Sequence, residues 1–275
     1  SMLASRLPGL LSPMTDQEAE QTAAIYSISH YGFQWDQWLQ RPFRAPHHTA
    51  SCAALVGGGN PPRPGEISLA HQGVLFLDEL PEFQRAALEA LREPLEVGYV
   101  SIARASRCVE FPAQFQLVVA MNPCPCGYAS DEKMICQCSA EQIRRYQMKL
   151  SGPLMDRLDM HINVARLQPR DLFKDVEEQR EPSAIIRDRV IEAQMRQLAR
   201  NSVLNARMNA KQLSASCRMN DAVKAILEQA MQLQGFSGRA INRLLSVART
   251  IADMSGAEDI VESHVLEALS YRAVC

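Results

Sequence analysis

The chain has 275 residues, with 29 Lys and Arg against 31 Asp and Glu, 47% apolar, 22% charged and 6% aromatic residues. The apolar content excludes disorder, no apolar run approaches the roughly 18 residues of a membrane helix, and the length suggests two domains. A formal net charge of −2 gives no global attraction for nucleic acid, so any such contact must come from local basic patches.

In chain order, Met2, Leu3, Leu7 and Leu10 line one face of a first helix that Pro8 and Gly9 should break. Thr15 and Glu18 form a capping box, which predicts a helix from Thr15 to about Ser29 with Ala19, Ala23 and Ile25 along its apolar stripe. Helical periodicity then stops. From Arg41 to Gly73 the chain is rich in proline, contains Gly57-Gly58-Gly59 and the pair His47-His48, and is expected to be irregular; such long loops are usually functional. Residues 73–80, GVLFLDEL, read as a strand buried on both faces that ends in two acids. The stretch FQRAALEALREPLE predicts an amphipathic helix ended near Pro94. Runs at 99–103 and 108–111 suggest a hairpin. Further strands are expected at 116–122 and 160–164, and strands alternating with helices argue for an α/β core. From about Leu167 a polar, Pro-containing linker leads to helices near 183–200, 219–234, 238–253 and 258–272, a second, all-helical domain.

The most informative element is Leu75-Phe76-Leu77-Asp78-Glu79. Ligands sit at the carboxyl ends of parallel strands, where a first acid can hold Mg²⁺ against nucleotide phosphates and a second can polarise an attacking water. The bland alternative is a strand ending in two solvated acids. Asn122 ends the neighbouring apolar strand in the same way, and a neutral amide beside an acid pair can orient water without adding charge; an Asn before a Pro also commonly just starts a turn.

Together, GVLFLDELPEF, an Asn-ended strand, SGPLMDRLDMHINV and GFSGRAINRLLSVARTIAD resemble an AAA+ ATPase of the magnesium-chelatase type. RPFRAPHHTAS, PRPGEISLAHQGVLFLDELPEF and NPCPCGY resemble its YifB/ComM subfamily, whose implied activity is DNA branch migration in natural transformation. The resemblance covers essentially the whole chain. It implies an α/β nucleotide-binding core to about residue 168, a helical lid over 169–275, ATP and Mg²⁺ as cofactors, and a ring, expected to be hexameric, acting on DNA. The alternative is a chelatase-like ATPase that remodels a protein partner or drives metal insertion.

Carried over residue by residue, the resemblance makes Asp78 and Glu79 the Walker B pair and Asn122 the sensor-1 residue. Arg157, in Met-Asp-Arg-Leu-Asp, matches the arginine finger that one subunit offers the next; a local salt bridge to Asp156 or Asp159 is the competing reading. Arg239 matches the sensor-2 arginine, in the first turn of a helix whose dipole also favours phosphate, and Arg243 is a second candidate one turn later. The departure is at the start. No GxxxxGK[ST] occurs, so the chain is expected to begin at or just after the phosphate loop, with the upstream strand missing, with Ser1 either the Mg²⁺-binding hydroxyl or a leftover residue, and with no ATP hydrolysis of its own.

The N-terminus shows neither the basic nor the apolar region of a secretion signal, so the eight cysteines read as reduced thiols or metal ligands of a cytoplasmic protein. Cys124, Cys126, Cys136 and Cys138 form C-x-C-x₉-C-x-C, and four thiolates suit tetrahedral zinc; four reduced thiols in a loop is the alternative. Cys52, Cys108, Cys217 and Cys275 are isolated. His47 and His48 are adjacent, so joint chelation is awkward and they read as loop histidines. Residues 41–72, with Arg41, Arg44 and Arg63, resemble the family's helix-2 insert. Arg104 and Arg107 fall at the hairpin tip, where basic loops could track a nucleic-acid backbone or be merely solvated.

Overall fold

A computed structural model describes residues 2–104, 107–129, 134–164 and 181–272. The chain divides into two compact units, Ser1–Arg157 and Leu158–Cys275. Ser1, Leu167 and Cys275 lie outside the described residues.

In the first unit the strands are β1 (Phe43–Arg44), β2 (Gly57–Gly58), β3 (Arg63–Pro64), β4 (Val74–Leu77), β5 (Tyr99–Arg104), β6 (Arg107–Pro112) and β7 (Gln116–Val119). The helices are α1 (Asp16–Ser27), α2 (Cys52–Val56), α3 (Glu66–Leu69), α4 (Arg85–Glu89), α5 (Pro94–Val97), α6 (Ala140–Gln147) and α7 (Gly152–Met155). Strands β1, β4 and β7 form a parallel sheet with β4 central, in register Phe43 with Val74 and Leu77 with Val119. Every residue of β4 is buried, which is why the stretch is continuously apolar. Leu75 and Leu77 enter a core with Leu55, Ile67, Leu80, Leu91, Phe111 and Leu154.

Several local expectations shift. The segment Ala4–Leu10 is a 3₁₀ helix that runs through Pro8; the Pro8 carbonyl still accepts, from Leu11 N–H at 3.3 Å, since proline lacks only the donor. The Thr15 capping box forms as read, with Glu18 Oε2 accepting from Thr15 N–H at 2.9 Å. Residues 41–73 are not one irregular loop: α2, the β2–β3 ladder and α3 order them. Gly57 permits this, having φ +105 and lying where a β-carbon would sit 2.4 Å from Arg63 O. Pro94 does not end a helix but starts α5 at its first turn, a place where its missing N–H costs nothing. The hairpin is β5–β6, paired from Tyr99–Pro112 to Arg104–Arg107.

In the second unit the helices are α8 (Ser183–Asn201), α9 (Ala210–Ser216), α10 (Asp221–Gln234), α11 (Gly238–Met254) and α12 (Glu262–Ser270). Leu244, Leu245, Ala248 and Ala252 of α11 pack with Val223, Leu227 and Val265. Arg249 is buried on the same helix; it pairs with Asp253 at 3.0 Å and donates to the carbonyls of Ala257 and Glu258 at 2.6 Å. Asp253 also accepts from both Arg200 Nη atoms at 2.7 and 2.8 Å and from Asn205 Nδ2 at 2.8 Å. The strand expected at 160–164 pairs with no other strand among the described residues, and Met160, Ile162 and Val164 are exposed. An extended segment without a neighbour leaves its backbone groups to other partners, and His161 N–H accordingly donates to Tyr271 O at 2.6 Å.

Candidate nucleotide and metal sites

Because β1, β4 and β7 are parallel, their carboxyl ends lie on one edge. Asp78 and Glu79 leave β4 there. Pairing continues past the strand, with Ala120 N–H donating to Leu77 O at 2.9 Å and Leu80 N–H to Ala120 O at 3.0 Å, so the acid pair is held from both sides. Glu79 takes φ 53°, ψ 47°, a left-handed conformation that costs a bulky residue about 1–3 kcal/mol and is retained mostly at functional positions. Its N–H donates to Asp78 Oδ1 at 3.0 Å, and its carbonyl accepts from Glu82 N–H at 2.8 Å. The Glu79 side chain is exposed, with Oε2 3.0 Å from His48 Nδ1.

His48 is a neighbour that sequence reasoning did not find. It lies four residues beyond β1, at the same sheet edge, its ring 4.1 Å from that of His47 and edge-on to Phe83 at 6.5 Å. What brings it there is its position after a strand parallel to β4. That pairing could not be read because β1 is only two residues long.

Asn122 was expected at the end of β7. The strand stops at Val119, so Asn122 stands three residues further on, exposed. Beside it is Tyr146 of α6, buried, whose pKa is raised by burial and by the charges of Glu82, Cys124 and Glu79, while the Asn122 backbone opposes the shift. Lys149 Nζ reaches Glu82 Oε1 at 3.0 Å.

The four cysteines of the C-x-C-x₉-C-x-C stretch converge, all four sulfurs lying within 4.8 Å of one another. Cys124 to Cys126 is 3.3 Å, Cys124 to Cys136 3.7 Å and Cys126 to Cys136 3.6 Å. A tetrahedral zinc with Zn–S bonds of about 2.3 Å separates its sulfurs by about 3.8 Å, so the cluster has the size of such a site. The backbone of Tyr128 and Gln137 holds the Cys126 thiol down to about 6.

The arginines divide by use. Arg157 makes neither of the local pairs considered for it: Nη2 lies 2.6 Å from Glu96 Oε2 and Nη1 donates to Pro153 O at 2.7 Å, with the side chain 11% exposed. Asp159 instead pairs with Arg243 at 2.6 Å. Arg239 is exposed in the first turn of α11, which Ser237 caps. Arg41 is turned inward, donating to Ser12 O at 2.6 Å and Gln72 O at 2.8 Å and reaching Glu18 at 3.3 Å. Arg44 makes two bonds to Glu66 at 2.6 and 2.7 Å under the Tyr31 ring, and that carboxylate holds its pKa above the usual arginine value against the effect of burial. Arg104 and Arg107 pair across the last rung of the hairpin.

An acid pair leaving the buried central strand of a parallel sheet, in an α/β unit followed in sequence by a helical one, fits an AAA+ core with a helical C-terminal domain. The chain belongs to the magnesium chelatase, subunit ChlI, family: residues 1–172 match that family and residues 180–272 match the magnesium chelatase, subunit ChlI C-terminal, family. Over its whole length it is 48% identical to the competence protein ComM of Haemophilus influenzae and 46% identical to YifB of Salmonella typhimurium, covering 53% and 54% of those proteins. It is 22% identical to the magnesium-chelatase subunit ChlI of Cyanophora paradoxa, across 79% of this chain and 56% of that protein. The chain spans about half the length of the curated relatives it matches. No helix among the described residues is long and apolar enough to cross a membrane.

Proposed function

We propose that this chain is the motor portion of an ATP-driven, ring-forming protein of the cytoplasm, hexameric by analogy with its class, that moves branched or single-stranded DNA in recombination or natural transformation. The observation that carries the reading is the strained, solvent-facing Glu79 beside Asp78 at the carboxyl edge of β4. Asp78 holds Mg²⁺ against the nucleotide phosphates and Glu79 takes the proton of the attacking water. Asn122 orients that water. Arg239, with Arg243 on the same face of α11, meets phosphate charge. Arg157 supplies positive charge to the nucleotide of the next subunit, once it leaves Glu96. Backbone contact with DNA falls to Arg104 and Arg107, since Arg41 and Arg44 already make bonds within the fold.

The cysteine cluster is read as a zinc centre: the four thiolates would hold the ion as a closed structural site, with no open position for chemistry. Metal analysis of the purified protein should find one zinc per chain, and a value near zero under non-chelating conditions counts against it.

The name of the similarity at 22% favours a second reading, metal insertion or remodelling of a protein partner. ATP turnover in a polypeptide of the relatives' length separates the two. Stimulation by single-stranded or branched DNA supports the DNA motor, and indifference to DNA supports the alternative.

A further inference from the structure

Asn122 stands where two features of the fold meet. It lies two residues before Cys124, the fully buried thiol of the cluster. Gly127, in the turn that follows, has φ +83°, and its N–H donates to Cys124 O at 3.0 Å. A β-carbon on Gly127 would sit 3.8 Å from Asn122 Cγ and 4.0 Å from Nδ2, so this turn lies beside the Asn122 side chain, which stays exposed. The cluster's second arm arrives from the other direction. Cys138 is followed at once by Ser139, which caps α6 through Gln142 N–H at 3.2 Å while Gln142 Oε1 accepts from Ser139 N–H at 2.8 Å. Helix α6 then brings the buried Tyr146 near the Asn122 backbone. Just beyond α6, Lys149 binds Glu82, whose N–H is bonded to Glu79.

We propose that a zinc-class cation at Cys124, Cys126, Cys136 and Cys138 positions Asn122, so that occupancy of the centre sets the rate of the hydrolytic step and leaves nucleotide affinity alone. The proposal rests on the readings of Asn122 and of the cysteines given above. Metal–thiolate bonds would add a strong tie between the two arms: Cys126 and Cys136 are separated by nine residues, and closing that loop costs chain entropy that the backbone hydrogen bonds of Gln137 to the Cys126 thiol and of Cys126 to the Cys138 thiol offset only in part. Both arms end on Asn122, one through the chain and one through α6. Displacement of a water-orienting group by about 1 Å costs on the order of 100-fold in rate, whereas a group that contacts water and not the base or ribose contributes little to binding.

The test uses a polypeptide of the relatives' length, as wild type, chelated wild type, Cys136→Ser, Asn122→Ala and Gly127→Ala. Zinc content, KM for Mg-ATP, kcat and amide exchange over residues 120–128 are measured on each. Chelation and Cys136→Ser should each remove the metal, speed exchange around Asn122 and lower kcat about tenfold or more at a KM within about twofold of wild type; ZnCl₂ restores the chelated protein. Asn122→Ala should show the same kcat loss and no further loss on chelation. Gly127→Ala, strained at a positive φ, should keep its metal and still lose kcat, which covers the case of a Cys136→Ser protein that does not fold. The proposal is overturned by a metal-free protein with unchanged kcat, or by chelation that slows Asn122→Ala as much as wild type. Full turnover by Asn122→Ala removes the reading of Asn122, and a wild type without metal removes the reading of the cysteines, so each failure is identified separately.

Discussion

Glu79, the base in the proposed reading, combines a left-handed backbone, an exposed carboxylate and a histidine 3.0 Å away. Replacing it with Gln keeps size and shape and removes only the proton acceptor, so kcat in a polypeptide of the relatives' length should fall by roughly 100-fold or more while Mg-ATP still binds; isothermal titration alongside turnover checks both halves. The arginines make a second prediction at this scale. Replacing Arg104 and Arg107 with Ala should weaken DNA binding and flatten its logarithmic salt dependence by about one unit for each phosphate no longer neutralised. Arg41→Ala should leave that slope unchanged and lower thermal stability instead, because its guanidinium satisfies Ser12 O and Gln72 O. Charge and loop composition could mark all of these arginines as candidates. They could not say which one turns inward, since that depends on carbonyl groups 29 and 31 residues away in sequence.

At the level of elements, β4 has side chains packed on both faces of the sheet and no tolerance for a cavity. Leu77→Ala should cost about 2–5 kcal/mol, read from chemical denaturation. The helical unit depends on a different device, the buried Arg249 and Asp253 with Arg200 and Asn205 around them. Burial alone would raise the Asp253 carboxyl pKa, but the hydrogen bonds of Arg200 and Asn205 and the charges of Arg249 and Arg200 hold it below its ordinary 3.8. Its contribution to stability is therefore complete above that value and is lost as pH falls through the lower, folded-state pKa. Asp253→Ala strands two guanidinium groups and should cost about 3–5 kcal/mol, with a difference from wild type that shrinks only in strongly acidic denaturation series. Local signals made many elements legible. The Thr15 box and the apolar run of β4 each state their structure within a few residues. The 41–73 stretch was not legible, because Gly57 and Gly65 build it through backbone approaches closer than any side chain would permit. The segment at 160–164 has strand-like composition and no strand beside it, and composition does not report a missing neighbour.

For the whole molecule, the division into an α/β unit and a helical unit could be read from the change in periodicity, and the acid pair from its strand. The convergence of the four cysteines was anticipated by spacing. Its closeness to Asn122 follows from Cys124 lying two residues after Asn122, but the return of α6, which brings Tyr146 near Asn122, was not legible. Near-neutral net charge leaves any hold on DNA by this chain to local basic groups, so the response to DNA should weaken as salt rises, with a logarithmic slope of about one unit for each phosphate neutralised. Steady-state ATP hydrolysis by a polypeptide of the relatives' length, with and without branched or single-stranded DNA, decides whether the protein is an ATPase whose base is Glu79 and whose substrate is DNA. Turnover should rise with DNA and vanish in Glu79→Gln; turnover that survives Glu79→Gln, or that ignores DNA at low salt, would contradict that assignment.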